Sequence, residues 1–243
     1  IDFLDINDIL KRKRKENQVI LMAGGKGLRL RPYTEKCPKP MLEINGKPML
    51  EILIETYRKY GFYKFTLSVN YLKEKVMDYF EDGKKLGVKI DYIVEDTPLG
   101  TAGSIGLLKK DIKEPILIAN GDVLSRVDPE QMLKLHLERQ SEATICVRQH
   151  EVQFPYGVIE QKGKKLVSFD EKPLITKLIN TGIYVMNPKW LKLIDKNEKI
   201  DMPDLLKRIK AKCDKVYVYD MNEYWIDVGR EESLKKAKES WKS

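Results

Sequence analysis

The chain has 243 residues, 42% hydrophobic and 34% charged, which fits one large folded domain with a short appendage and excludes a disordered chain. No apolar run approaches the ~20 residues that span a bilayer, and the acidic-then-basic start lacks the apolar core of a signal peptide. The formal charge of +8 raises nucleic acid as a partner, but the lysines are spread along the chain beside acids, and the one dense basic run, 11–15, holds no aromatics. A solvated surface and no nucleic-acid or membrane role is therefore expected. Cys37, Cys146 and Cys213 are odd in number and far apart, which points to a reducing cytoplasmic setting and no metal cluster.

In chain order, residues 1–17 read as the tail of a preceding domain and a polar linker, and 18–243 as the main domain. Strands are expected at 18–22, 65–69, 89–94 and 115–120, with helices at 48–60, 71–81 and 101–110. This β-α-β-α rhythm predicts a parallel sheet with helices on both faces. After residue 141 the pattern changes to strands at 143–148, 157–161, 165–169 and 180–186, so antiparallel strands join the sheet. Helices return at 201–212 and 230–241. The fold class is α/β, a Rossmann-like three-layer sandwich around a mixed, mostly parallel sheet.

The stretch 19–42, "VILMAGGKGLRLRPYTEKCPKPML", turns from a buried strand into a glycine-rich, cationic loop. Gly24, Gly25 and Gly27 let the backbone approach a ligand, and successive N–H groups in such a turn cradle anions. The loop follows the C-terminal end of a strand, where open α/β sheets bind ligands. Arg29 offers a planar fork for phosphate and Lys39 a point charge. The chemistry is that of a triphosphate site. It is neither a P-loop, since GxxxxGK[ST] is absent, nor a dinucleotide fingerprint, since the third glycine and the acidic ribose ligand are missing.

The string "LMAGGKGLRLRPYTEKCPKPML" resembles the signature of the sugar-1-phosphate nucleotidyltransferases. The resemblance continues through "EDTPLGTAGSI" at 95–105, "IANGDVL" at 118–124, "PYGVIE" at 155–160, "DEKP" at 170–173, "NTGIYVM" at 180–186 and "EYWIDVGREE" at 223–232. It covers about residues 18–241. It implies transfer of a nucleotidyl group from an NTP to a sugar 1-phosphate, with pyrophosphate released. Ala23, Gly24, Gly25, Gly27, Glu95, Gly100 and Thr101 would bind the nucleotide. Arg29, Lys39 and Asp122 would be catalytic, and Asp122 with Asp227 would hold Mg²⁺. Gly157, Glu171, Lys172 and Asn180 would bind the sugar phosphate. One departure stands out: Leu28 occupies a position where the family usually has Thr or Ser.

Glu95 replaces the Gln common in uridylyl and thymidylyl members. A carboxylate only accepts hydrogen bonds, and guanine offers two adjacent donors, so GTP is favoured. The prefix "DINDILKRKRKEN" resembles a junction that follows paired CBS domains in bacterial proteins. That resemblance implies N-terminal CBS domains and favours glucosamine 1-phosphate as acceptor, with mannose 1-phosphate the runner-up. The competing class is a catalytically silent sensor of nucleotide sugars. A glycosyltransferase is disfavoured because "NGDV" is no Asp-x-Asp motif. The oligomeric state stays open, a homo-oligomer included.

Overall fold

The computed structural model describes residues 13–108 and 111–241. Residues 1–12 of the expected tail, and with them most of the CBS-like junction, lie outside the described residues. The strands are β1 (Lys15–Met22), β2 (Glu43–Ile44), β3 (Lys47–Pro48), β4 (Phe62–Val69), β5 (Lys89–Val94), β6 (Ile116–Asn120), β7 (Val123–Ser125), β8 (Ala143–Gln153), β9 (Val158–Lys162), β10 (Lys165–Asp170), β11 (Leu174–Met186), β12 (Val216–Asp220) and β13 (Trp225–Asp227). Seven of them form the central sheet in the order β12-β8-β11-β6-β1-β4-β5. Neighbours run parallel except at β11, which opposes both β6 and β8. The mixed, mostly parallel α/β sheet is thus as expected.

Val19, Ile20 and Leu21 are fully buried because β1 lies inside the sheet with layers on both faces. A continuous apolar run is what such a strand requires. On one face, helices Met49–Arg58, Lys73–Phe80 and Pro129–Glu138 bring Leu53, Ile54, Val76 and Met132 against Val19, Leu21 and Phe65. On the other, helix Met202–Lys212 packs Leu205 and Ile209 against Ile20, Ile118 and Tyr184. A third cluster joins Leu30, Leu42, Leu124 and Val228 to Leu234 and Ala237 of helix Glu231–Ser240. Burying Leu30 contributes roughly 1.5–3 kcal/mol, against about 1 for a hydrogen bond, so packing anchors the loop after β1. Among the described residues no helix is long and apolar enough to cross a membrane.

Several elements differ from expectation, among them edge strand β12 and the short ladders β2–β3 and β7–β13, none of which was expected. Helix Pro129–Glu138 was not foreseen, although Asp128 caps it by accepting from the Glu130 and Gln131 N–H groups at 2.9 Å each, with Pro129 in its first turn. Of the helix expected at 101–110, the described residues 101–108 form a 3-10 turn, Gly103–Leu107, and residues 109–110 lie outside the described residues. There Gly103 lies so close to the 198–200 backbone that a methyl group would stand 2.2 Å from the Glu198 carbonyl oxygen. Finally, β8 and β11 extend past the sheet as a two-stranded arm, with β9 and β10 pairing as a separate hairpin between them.

His136 is buried, with Nδ1 2.9 Å from Thr144 Oγ1 and Nε2 3.3 Å from Asn187 Oδ1. Burial pushes its pKa below the usual 6.5, against smaller upward pulls from Asn187 and Glu142. Above that value neither folded nor unfolded chain carries the proton. Below it the unfolded chain takes a proton that the fold resists, so this contribution to stability is lost as pH falls. Urea midpoints measured at pH 8 and pH 5.5 should therefore fall further for the wild type than for His136→Gln. Equal falls would contradict the linkage.

Candidate active site

The cleft forms at the C-terminal ends of β1, β4, β5 and β6. Gly24, Gly25, Lys39, Glu95, Gly100, Thr101 and Asp122 line one cavity of about 240 Å³, with Met22, Pro40, Pro98 and Asn120. A larger hollow of about 700 Å³ lies on the sheet face around Gln18, Thr66 and Asp91, and it contains none of the expected chemistry.

The loop leaves β1 as Ala23 donates its N–H to the Ser68 carbonyl at 2.8 Å. Gly27 then adopts φ +62, a left-handed turn that glycine takes without strain. Leu28 follows with 59% of its surface exposed. Arg29 reaches back toward the C-terminal segment: a methyl group on Gly229 would stand 3.1 Å from Arg29 Nη2 and 3.2 Å from Asp227 Oδ1. Lys39, in a tight turn between Pro38 and Pro40, is buried, and its ammonium donates to Asp122 Oδ2 at 2.5 Å.

Asp122 lies between β6 and β7, one residue past Gly121, whose N–H donates to the Met22 carbonyl at 2.9 Å, pinning this turn to β1. The short β7–β13 ladder pairs Asp227 with Val123, and the Val228 N–H donates to the Asp122 carbonyl at 3.0 Å. Two acids 105 residues apart in sequence thus become neighbours. Burial, and then the negative charge of Asp122, push the Asp227 carboxyl above its ordinary range, while Lys39 and Arg29 pull it down. No group of three or more His, Cys, Asp or Glu residues that could hold a metal occurs among the described residues. Two adjacent carboxylates do fit an ion that prefers hard oxygens and keeps water and phosphate ligands.

Glu95 is only 6% exposed. Its Oε1 accepts from the Ser68 hydroxyl at 2.6 Å and its Oε2 from the Leu99 N–H at 2.9 Å, while its carbonyl accepts from Asn70 Nδ2 at 2.6 Å. The carboxylate therefore closes the 95–99 turn, and only its remaining lone pairs are left for a base. Thr101 is likewise engaged. Its N–H and hydroxyl donate to Asp201 Oδ1 at 2.9 and 3.2 Å, and its Oγ1 accepts from the Met202 N–H at 2.8 Å, tying the cleft to helix Met202–Lys212.

The expected sugar residues divide. Gly157, Glu171 and Lys172 lie at and beside the β9–β10 hairpin: Gly157 abuts Phe169 and Glu171, and the Lys172 ammonium is 4.0 Å from the Glu171 carboxylate. Among the described residues no hydrogen bond joins these three to the cleft. Asn180 sits nearer. It donates from Nδ2 to the Tyr184 hydroxyl at 2.6 Å and accepts from the Gly182 N–H at 3.0 Å, and Gly182 packs against Asn120 of the cleft wall. Residues that the sequence did not single out include Asn120 and Thr34, whose hydroxyl donates to the Gly27 carbonyl at 2.8 Å; Trp225, read from sequence as a packing residue, packs against the core and donates its indole N–H to the Thr181 carbonyl at 2.9 Å. Thr34 lies inside the quoted loop string, but its role shows only in the fold.

The profile of one family, described as nucleotidyl transferase, matches residues 18–243, and the chain belongs to that family. Its relatives act on sugar 1-phosphates. A UTP–glucose-1-phosphate uridylyltransferase of Synechocystis sp. is 34% identical over 233 residues, covering 88% of this chain and 60% of that protein. A mannose-1-phosphate guanyltransferase of Yarrowia lipolytica is 34% identical over 223 residues, covering 87% and 60%. The chain thus spans about 60% of the length of these relatives. Among solved structures, HddC from Yersinia pseudotuberculosis complexed with GMP-PN aligns at TM-score 0.71 and 28% identity, covering 93% of this chain and 100% of that one. A UDP-glucose pyrophosphorylase complexed with UDP-glucose shares the fold at TM-score 0.70 and 21% identity, covering 92% and 97%.

Gly100 adopts φ +79, and a methyl group there would stand 2.6 Å from the Ile200 carbonyl oxygen. Gly100→Ala should destabilise the fold by about 1–3 kcal/mol, read as a lower urea midpoint. An unchanged midpoint would show that the cleft wall yields freely.

Proposed function

We propose that this domain transfers a nucleotidyl group from an NTP, with GTP favoured, to a sugar 1-phosphate. A phosphate oxygen of the sugar attacks the α-phosphorus. The new P–O bond forms as the α–β bridging P–O bond breaks, and pyrophosphate leaves. What carries the reading is the convergence of Arg29, Lys39, Asp122 and Asp227 beside a glycine turn at the strand ends.

The attacking phosphate is already anionic near neutral pH, so no general base is needed. The difficulty is bringing two anions together while charge builds on the leaving group. Fixed cations and oriented N–H groups meet that need without reorganising. Lys39 neutralises charge near the α-phosphate, Arg29 grips the β- and γ-phosphates with its fork, and the Gly24–Gly27 backbone cradles them. Asp122 and Asp227 would hold Mg²⁺, which when bound supplies further neutralisation of the polyphosphate. Asn180 would orient the sugar, with Glu171 and Lys172 reaching it from the hairpin.

GTP is supported by the guanyltransferase relatives and by the GMP-PN complex of HddC. A uridylyl or thymidylyl preference is the alternative, since a uridylyltransferase is equally similar. Glucosamine 1-phosphate is the favoured acceptor on the strength of the prefix, and mannose 1-phosphate follows from the relatives' names.

The test is a grid of four NTPs against glucosamine, mannose and glucose 1-phosphates, scored by pyrophosphate release. GTP should give the highest kcat/KM, and Lys39→Met and Asp227→Asn should each lower kcat by roughly 10²–10³-fold. No pyrophosphate from any pair would overturn the reading in favour of a nucleotide-sugar sensor. Glu95→Gln should impair GTP more than UTP. An equal loss for both would leave Glu95 with turn closure alone.

A further inference from the structure

Thr34 is polar, yet only 1% of its surface is exposed. It touches Gly27 in two ways. Its hydroxyl donates to the Gly27 carbonyl at 2.8 Å, and its methyl packs where a Gly27 side chain would be, 2.9 Å from an idealised Cβ. The stem of Lys39 closes the same space from another side, its Cβ 3.0 Å from that point. One buried side chain therefore sits at the joint between the left-handed turn that launches Arg29 and the lysine that reaches Asp122.

A second group braces Thr34 from outside. Tyr71, just beyond the C-terminal end of β4, directs its hydroxyl at the carbonyl oxygens of Thr34 and Glu35, at 3.2 and 3.0 Å. Its neighbour Asn70 holds the Glu95 carbonyl. The brace thus connects the glycine loop to the segment that forms the other wall of the cleft.

We propose that Thr34, supported by Tyr71, is the positioning residue for the phosphate-binding loop. It touches no substrate. It acts through Gly27, whose turn sets where Arg29 and the loop N–H groups point, and through the stem of Lys39. Leu28 supplies no hydroxyl to the loop, so the aim of the backbone and of these two cations carries the grip on phosphate. The proposal rests on the nucleotide reading above and predicts an effect confined to the nucleotide side of the reaction.

The test compares wild type, Thr34→Val, Thr34→Ser and Tyr71→Phe. GTP affinity is measured by calorimetry in the absence of acceptor, and KM for GTP and for the sugar 1-phosphate by pyrophosphate release. Thr34→Val keeps the shape and removes the donor. It should weaken GTP binding on the order of tenfold and leave the sugar-phosphate KM within about twofold. Thr34→Ser, which keeps the donor, should recover most of the affinity. Tyr71→Phe lies nearer the surface, and should shift GTP affinity the same way by a smaller factor even if Thr34→Val folds poorly. GTP affinity equal to wild type in Tyr71→Phe and in folded Thr34→Val would overturn the proposal. So would parallel losses in both KM values, which mark general destabilisation. A wild type that binds no NTP would instead overturn the nucleotide reading, and so the two failures are distinguishable.

Discussion

The ion pair between Lys39 and Asp122 joins two loops that the sheet only brings near each other. Lys39 lies in a turn fixed by prolines on both sides, and its stem packs on Gly27. Asp122 emerges from β6 at a turn bonded to the end of β1. Lys39 is buried while the Asp122 side chain keeps 31% of its surface exposed, so the lysine's charge is desolvated for a partner that water still screens, and a hydrophobic side chain there often serves stability better. The pair is therefore poorly explained as a device for holding the fold. Its consequence is placement: one cation and one anion face the same cleft, Lys39 held by its proline-flanked turn and Asp122 by the turn after β6.

The remainder of the site is arranged around that contact. Asp227 enters on a three-residue ladder beside Asp122 and feels its charge through a partly desolvated environment. Arg29 flanks Gly229 and so shares the neighbourhood of Asp227. The third apolar cluster ties the loop after β1 to the last helix, so the cationic rim is anchored by packing at Leu30 and Leu234. On the opposite wall, Glu95 and Thr101 spend their polar groups on backbone and caps. The side chains of that wall are thus internally satisfied.

The sequence exposed what is local. The run of apolar residues at 19–22, the three glycines and the cations behind them could be read directly as a buried strand and an anion loop. The pairing of Asp122 with Asp227 could not be reached from spacing, because the β7–β13 ladder closes the gap; only the resemblance implies it. The helix at 129–138 carries a plain start signal in Asp128 and Pro129, but the strand pattern that follows from 143 dominates this half of the chain. The segment at 101–110 misled in the other direction. Its helical spacing is real, but Gly100 and Gly103 are there for close backbone contact with residues 198–200. The internal partners of Glu95, Ser68 on β4 and the Leu99 N–H, were likewise invisible, since nothing in a linear pattern says which donors a buried carboxylate will find.

A cationic loop and two distant acids would together surround one metal-bound polyphosphate. Anomalous diffraction from crystals grown with Mn²⁺ and a non-hydrolysable GTP analogue tests it most directly. A single strong peak should lie at bonding distance from both the Asp122 and Asp227 carboxylates, with the phosphate chain along Gly24–Gly27. Density for the analogue elsewhere, or a peak that engages neither acid, would contradict it.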